Sequence, residues 1–597
     1  MNRLIVCCDG TWNTPENESV TNVCRLYNAL ASKDNFGNCQ WRYYQPGVGA
    51  VRTRLLGGAF GLGLSRNVMD AYLWLTTRYE PGDRIALFGF SRGAYTARSL
   101  AGMISACGLI DTSKMDKATV WSHIKDLYNQ GYRRTRQNPV CREPHGSRER
   151  AECRGWRDGL GFLWDSDDCE RIPVDFIGVW DTVGALGVPN YMGWLNLLDP
   201  ARLHDFHDLR LNPYIKYGRH AIAMDERRRP YTPTLWSGTY AEDQVKQVWF
   251  PGSHKDVGGG HLQRGLSDCA LQWMIDEAGT TIGLGFHKTV EDQITPNPLD
   301  VIHDDDRGVV GVLEPLIDPM LKPWLEIFQQ PRPRAVPRIA PDARDPRRLH
   351  QSVYDRYESP LVTSGLYRPT EVLAPGQTKT GIEVYAHNPW NETGLYLEPG
   401  YYSFTAEGTW RDLTIVSGPD GTTGVRRFNP LTEGYRLLGT LLGQGEKLFR
   451  FVTRNKVADL IGAPREADLP WMSLVGVVAN DAVSLDNEYK DHERIAIGTG
   501  TSCWVTQGGY LYAFANDAWG FYANNQGSVQ LTVTRMAERE QQETVPTPSG
   551  RESGQRRTVS ADEVAGAASR RPSAPSAARR AASASASRVR RREARQE

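Results

Sequence analysis

Gly89-Phe90-Ser91-Arg92-Gly93 sets a serine between two glycines at the spacing of a nucleophile held on a sharp turn. The apolar run Arg84-Ile85-Ala86-Leu87-Phe88 precedes it and Ala94-Tyr95-Thr96-Ala97-Arg98 follows, the strand-turn-helix context that such a serine requires. Gly89 and Gly93 let the backbone bend and the helix lie close to the sheet. The hydroxyl then sits at a helix N-terminus, whose positive end favours a developing anion. A serine needs a base to become a nucleophile, and the base needs an orienting acid. Asp181 and His254 each come directly after a buried-strand pattern, where catalytic groups collect in open α/β sheets. Asp225 and Asp256 compete with Asp181 for the acid role. His220 sits in a helical-looking stretch and reads as structural, and His261 as pocket lining. An oxyanion hole needs two backbone N–H donors. Arg92 offers one, and Gly10 or Thr11, in Asp9-Gly10-Thr11-Trp12-Asn13, offers the second.

A different chemistry is suggested by Ala515-Asn516-Asp517-Ala518-Trp519-Gly520-Phe521-Tyr522-Ala523-Asn524-Asn525-Gln526-Gly527. One aspartate and two adjacent asparagines on a short loop are hard oxygen donors, and backbone carbonyls can complete a shell suited to calcium. The same composition makes an ordinary Asx-rich turn. Spacing alone leaves the two readings level.

The elements that must position these residues follow from periodicity. Over residues 1–290, short β-rich runs alternate with helical segments, which predicts an α/β fold with a mostly parallel sheet. Strands are expected at 4–8, 84–88, 174–179 and 245–250, and helices at 22–31, 68–79, 94–106 and 266–277. The serine, acid, histidine order along the chain is that of an α/β-hydrolase domain. Residues 130–172 are charged and aperiodic and read as a cap insertion above the site. Residues 291–375 are rich in Pro and Arg, as in Gln330-Pro331-Arg332-Pro333-Arg334, and read as a linker wrapped over the first domain. Short Gly-, Thr-, Tyr- and Trp-rich runs over 376–536 predict an all-β sandwich. From 537 to 597 the chain is Ala-, Ser- and Arg-rich and reads as a disordered basic tail.

Composition narrows the function classes. Among 597 residues, Lys+Arg and Asp+Glu both number 70, so net charge gives no reason to expect nucleic acid. No apolar run approaches the roughly 20 residues of a spanning helix, and the start, Met1-Asn2-Arg3-Leu4-Ile5-Val6-Cys7-Cys8-Asp9, reads as a strand and not a signal peptide. Ten cysteines without CxxC pairs read as reduced thiols, with adjacent Cys7 and Cys8 facing opposite ways into core space.

Taken in order, Cys8-Asp9-Gly10-Thr11-Trp12-Asn13, Tyr44-Gln45-Pro46-Gly47-Val48-Gly49, Gly89 to Tyr95, Trp180-Asp181-Thr182-Val183-Gly184, the stretch from His220 to Arg228 and His254-Lys255-Asp256-Val257-Gly258-Gly259-Gly260 resemble the DUF2235 family. That family includes the catalytic domains of type VI secretion phospholipase effectors, and the resemblance spans residue 1 to about 280. It implies hydrolysis of carboxyl esters in phospholipids by Ser91, Asp181 and His254, with no cofactor needed for catalysis. Lys255 departs from the small residue expected there. The loop around Asp517, with Gly408-Thr409-Trp410 and Gly527-Ser528-Val529, is similar to calcium-dependent galactose lectins of the PA-IL type. That likeness implies Ca2+ held by the side chains of Asp517, Asn524 and Asn525 and the carbonyl of Phe521, with a sugar bound through the ion beside Asp517 and Asn524. The expected function is a serine esterase of the phospholipase A kind with a lectin-like targeting module. The alternative is a carbohydrate- or surface-binding protein on an inactive hydrolase scaffold. An effector of this kind would be cytoplasmic in the producing cell and secreted without a signal peptide, and would meet a secretion apparatus, an immunity partner and a glycan besides its lipid.

Overall fold

The computed structural model describes residues 1–10, 19–47, 59–133, 155–168, 171–183, 210–228, 231–304, 331–360, 365–422, 465–466, 468–480, 492–519 and 521–537. Thr11, residues 134–154 of the expected cap and the expected tail from 538 onward lie outside the described residues.

The first half supplies strands β1 (Arg3–Cys8), β2 (Gln40–Gln45), β3 (Arg84–Phe90), β4 (Leu109–Ile110), β5 (Phe162–Trp164), β6 (Val174–Trp180), β7 (Tyr217–Ala223) and β8 (Val245–Phe250). Its helices are α1 (Asn22–Ala29), α2 (Ala59–Thr76), α3 (Arg92–Cys107), α4 (Lys117–Asp126), α5 (His254–Gly258), α6 (Gly265–Ile282) and α7 (Lys288–Glu291). Six strands form one parallel sheet in the order β2-β1-β3-β6-β7-β8. The order reverses between β1 and β3, and the crevice at the carboxyl ends of such a pair is where open α/β sheets bind ligands.

The sheet is covered on both faces, which is why its central strands β1, β3 and β6 read as nearly continuous apolar runs. Alternation along β1 sends Leu4, Val6 and Cys8 into one core with Val68, Tyr72 and Leu75 of α2 and Ala97 and Leu100 of α3. Ile5 and Cys7 point the other way, against Val23 and Leu26 of α1 and Met274 and Ile275 of α6. Each such large aliphatic side chain stabilises the fold by roughly 1.5–3 kcal/mol.

One expectation is corrected. The stretch around His220, expected to be helical, is strand β7, buried almost throughout. Its polar residues find partners in place: Arg219 pairs with Glu277, and His220 Nε2 accepts from the Thr182 N–H at 3.0 Å. Of the expected cap, strand β5 pairs with β4 just beyond the C-terminal end of the 16-residue α3, about 24 Å of helix away from Ser91.

Residues 331–360 include a helix, α8 (Gln351–Glu358). The second half is built from β9 (Thr378–Tyr385), β10 (Asn391–Leu397), β11 (Gly400–Asp412), β12 (Ile415–Ser417), β13 (Asp420–Thr422), β14 (Trp471–Ala479), β15 (Glu493–Ala496), β16 (Gly500–Val505), β17 (Gly509–Ala515) and β18 (Asn525–Arg535). These make two antiparallel sheets, β10-β17-β14-β13 with β15 on β14, and β12-β11-β18-β9 with β16 on β11. Inward residues of both sheets share one core, including Phe404, Trp410, Leu474 and Leu511, with Val529, Leu531 and Val533 alternating along β18.

The two halves meet through residues 331–354. Val336, Ile339, Leu349, Val353 and Tyr354 are buried in one cluster with Ile222, Met224 and Trp249 of the first half and Ala479, Tyr510 and Tyr512 of the second. This stretch of the expected wrap is therefore wedged between two apolar surfaces.

Candidate active site

Strand β3 ends at Phe90, and Ser91 follows with φ 56° and ψ −122°, the N-cap of α3. That left-handed backbone is strained for a serine, at a cost of order 1–3 kcal/mol. The turn's glycines are required sterically. A Cβ on Gly93 would lie 2.1 Å from the Cys8 carbonyl oxygen, and one on Gly89 would lie 2.5 Å from the Gly93 carbonyl oxygen. Ser91 makes no side-chain bond to its own helix, so its hydroxyl can turn toward a base. Arg92 takes the first helical position of α3, directly after the serine.

Asp181 lies beside it. Phe90 and Trp180 are register partners at the ends of β3 and β6, and the Ser91 N–H donates to the Trp180 carbonyl at 3.1 Å. Asp181 also has a positive φ, 34°, and is fully buried. His254 opens α5 after β8, and its Nδ1 lies 2.6 Å from Asp181 Oδ2. A carboxylate at that distance fixes the proton on Nδ1 and leaves Nε2 as the acceptor. The ring is clamped by Phe90 at 4.6 Å and by the edge of Tyr231 at 4.7 Å between centroids. Burial holds His254 below the ordinary histidine range, against the upward pull of Asp181 and Glu226. Burial pushes Asp181 up, but Arg334 and the His254 hydrogen bond outweigh it and hold the carboxyl below the usual range. The imidazole is thus neutral and the carboxyl ionised at neutral pH.

The competing acids are engaged elsewhere. Asp225 bonds Arg368 at 2.8 Å and Tyr367 Oη at 2.8 Å across the two halves. Asp256 accepts from the Ser253 N–H at 2.9 Å and bonds His303 Nδ1 at 2.6 Å. His261 stacks on His303 at 3.9 Å, and with Asp256 these place candidate ligand atoms within 4.8 Å of one another. Stacked rings set their nitrogens side by side instead of converging them on one ion, so the group reads as a hydrogen-bonded cluster. Lys255 is exposed and leaves the His254 geometry untouched.

The Gly10 N–H donates to Asp9 Oδ1 at 2.6 Å, so in this arrangement it is already occupied. Asp9 Oδ2 accepts from Thr21 Oγ1 and Tyr44 Oη at 2.6 and 2.5 Å, and burial raises its carboxyl against both bonds. The conspicuous Asp-Gly turn after β1 thus ties β2, α1 and the elbow together. Sequence reasoning missed Arg334, whose Nη1 and Nη2 reach Asp181 Oδ1 and Oδ2 at 2.7 and 3.0 Å. It also missed Glu226, which accepts the His254 N–H at 3.3 Å and pairs with Arg228. A cavity of about 400 Å³ opens beside Arg334 at the seam between the halves, lined among others by Glu226, Trp236, Tyr396 and Asn480.

In the β half, Asn525 meets Asp517, and its neighbour Asn524 meets Asp412. Asn525 Nδ2 donates to Asp517 Oδ2 at 2.8 Å, and Asn524 Nδ2 to Asp412 Oδ1 at 3.2 Å. The Oδ1 atoms of Asn524 and Asn525 are buried with no hydrogen-bond partner among the described residues. Phe521 starts the short turn before them and is half exposed. Asp412, at the end of β11, is a carboxylate of this cluster that sequence reasoning did not include.

Residues 2–277 match the family described as T6SS, Phospholipase effector Tle1-like, catalytic domain. The resemblance drawn from the motifs is borne out over that span. A stretch of 272 residues is 30% identical to an uncharacterized protein of Saccharomyces cerevisiae, covering 41% of this chain and 35% of that protein. The chain thus spans about a third of the length of the curated relative it matches. Among solved structures, an uncharacterized protein from Pseudomonas aeruginosa is similar at 16% identity and a TM-score of 0.27, over 50% of this chain and 49% of that one. The N-terminal domain of EclA, a PllA-like lectin, is similar at 18% identity and a TM-score of 0.17, over 26% of this chain and 97% of that one. Both are loose likenesses. No helix among the described residues is long and apolar enough to cross a membrane.

Proposed function

We propose that the first half is a serine esterase of the α/β-hydrolase kind that cleaves carboxyl esters of phospholipids. The observation that carries this reading is the 2.6 Å contact of His254 Nδ1 with Asp181 Oδ2, beside a serine on a strained elbow at the end of the adjoining strand. Ser91 Oγ attacks the acyl carbonyl carbon as His254 Nε2 takes its proton. The oxyanion meets the Arg92 N–H and the N-terminus of α3. Collapse breaks the ester bond, and His254 returns the proton to the departing glycerol oxygen, which leaves as lysolipid. Water then attacks the acyl-enzyme, losing its proton to His254, and the fatty acid departs as Ser91 is restored. Asp181 holds the imidazole in the required tautomer throughout and stabilises its charged form.

The β half is the targeting module in this reading. Two buried carbonyl oxygens on Asn524 and Asn525, without partners among the described residues, suit a hard cation, and Asp517 supplies the negative charge. Asp517, Asn524, Asn525 and the Phe521 carbonyl would hold Ca2+, with Asp412 close by, and the bound ion would present open positions to sugar hydroxyls. Delivery into another cell and capture of a glycan there would bring the esterase to a lipid surface.

Incubating the purified chain with mixed phospholipid vesicles, with calcium or a chelator, tests the esterase. Free fatty acid and lysolipid are expected from the unaltered chain and none from Ser91→Ala. Equal release by both would end the reading.

A further inference from the structure

Asp181 is bonded through both carboxylate oxygens. Its Oδ1 accepts from the Ala223 N–H at 3.1 Å and Arg334 Nη1 at 2.7 Å, and its Oδ2 from His254 Nδ1 at 2.6 Å and Arg334 Nη2 at 3.0 Å. Arg334 therefore grips both carboxylate oxygens, and its side chain is 6% exposed against 0% for Asp181. The same guanidinium donates to the carbonyls of Ala223, at 2.6 Å, and of Tyr231, whose ring edge clamps His254. One side chain thus fixes the acid, the strand end beside it and the residue that confines the base.

Arg334 lies 57 residues beyond the end of the family match at 277, in a segment that reads from sequence as a linker. That segment is anchored on both sides. Pro331 bridges Arg228, and the Arg332 N–H donates to the Arg227 carbonyl at 2.6 Å. From the β half, Trp390 Nε1 donates to the Pro331 carbonyl at 2.6 Å, His492 Nε2 lies 2.7 Å from the Pro333 carbonyl, and Tyr510 Oη accepts the Ile339 N–H at 3.1 Å. The β half thereby holds the strap in the register that delivers Arg334.

We propose that Arg334 is a positioning residue for the Ser91, His254, Asp181 site, delivered by a strap that the β half locks in place, so that the esterase is completed from outside its own domain. This rests on the esterase reading above. A buried acid that donates its charge only to a histidine raises that histidine's proton affinity. A cation forked across the acid offsets this and keeps the base neutral, while its planar geometry fixes the carboxylate's orientation. The other charged groups facing His254 are Glu226 and Arg228, from the segment after β7, with Tyr231 beside them. On its own helix stand Lys255, exposed, and Asp256, turned toward His303.

The test is kcat and KM on a soluble p-nitrophenyl ester as a function of pH, for the full chain and for Arg334→Met and Arg334→Lys. Arg334→Met is expected to lower kcat about 10- to 100-fold, the usual effect of losing a supporting bond around a reactive group, with KM within about twofold. Its acid limb should move up by about one pH unit, the shift expected when a neighbouring cation is removed. Arg334→Lys restores the charge without the fork, so the limb should return to its original place while kcat recovers only in part. A folded Arg334→Met chain with unchanged kcat and limb overturns the proposal, as does a limb that moves equally in both variants. Where Arg334→Met fails to fold, Arg334→Lys decides alone: reduced kcat with the limb unmoved supports the proposal, and wild-type kcat overturns it. Ser91→Ala separates the two levels. Retained hydrolysis there removes the esterase reading and this inference with it, whereas an inactive Ser91→Ala beside a wild-type-like Arg334→Met removes the inference alone.

Discussion

In the α/β half the buried carboxylate of Asp181 accepts from four donors, whereas in the β half the buried Oδ1 atoms of Asn524 and Asn525 accept from none among the described residues. Both regions sit at the ends of strands and both are rich in oxygen ligands. They differ in what is missing. An unsatisfied buried acceptor costs about 1–3 kcal/mol, so the β-half loop is incomplete on its own terms and a cation would repair it. The Asp181 site needs no such addition, because Arg334 already supplies its positive charge. In the proposed reading one polar cluster is finished by a side chain from elsewhere in the chain and the other by an ion.

The comparison breaks most sharply at the serine. Ser91→Ala should lower ester hydrolysis by about four orders of magnitude or more while leaving the melting temperature near that of the parent, because one hydroxyl contributes little packing and the whole covalent route. His254→Ala should match it, and the double variant should be hardly worse; a double variant many-fold worse than either would mean the two do not act as a unit.

Next in size is the acid. Asp181→Asn should reduce kcat by about 10⁴, as expected when the imidazole loses its orienting carboxylate, and Asp225→Asn should chiefly lower thermal stability, since Asp225 ties Arg368 and Tyr367 across the seam. Kinetics on both variants settle the assignment: a crippled Asp225→Asn beside a mild Asp181→Asn reverses it.

The pH profile sharpens the contrast further. His220 is pushed down to about 3, by burial first and then by Arg98, and His254 is held low by burial. A histidine whose folded value lies below its unfolded value of about 6.5 contributes stability that is present above that pH and lost as pH falls toward the folded value. Melting temperature should therefore decline as pH drops below about 6.5, and the acid limb of kcat/KM should lie below that value too. A limb near pH 8 would mean that His254 is charged at neutrality.

The smallest effect belongs to calcium. At a hundredfold excess over its dissociation constant, a ligand that binds only the folded chain stabilises it by about 2.7 kcal/mol, and calorimetry of the full chain should show that as a raised melting temperature for the β half. Asn525→Ala should erase the gain, and hydrolysis of a soluble ester by the parent chain should be indifferent to a chelator. No calcium-dependent rise would leave an ordinary Asx-rich turn.

Much of the sheet is legible in the sequence because β1, β3, β6 and β8 carry apolar runs matched to burial at the sheet's centre and edge. Strand β2 is not, since Gln40–Gln45 is an edge strand with polar, partly exposed residues and no run to read. Strand β7 hides because Arg219 and His220 interrupt its apolar pattern, yet both are buried and bonded to partners far along the chain. In the site, Ser91, Asp181 and His254 are visible because each closely follows a strand. Arg334 is not: its partner lies 153 residues upstream, and alternating Pro and Arg carries the local signature of a linker.

That separation along the chain also sets a schedule. Synthesis proceeds at about 5–20 residues per second, so a stretch of 153 residues between Asp181 and Arg334 corresponds to roughly 8–30 s of translation at that rate. Over the later part of that interval, once His254 has been made, the nascent α/β half has its serine, acid and base but not the cation that grips the acid, and the surface that seats the strap is later still. Under the proposed esterase reading, placing the final electrostatic contact so far downstream delays the working geometry until more than half of the chain exists.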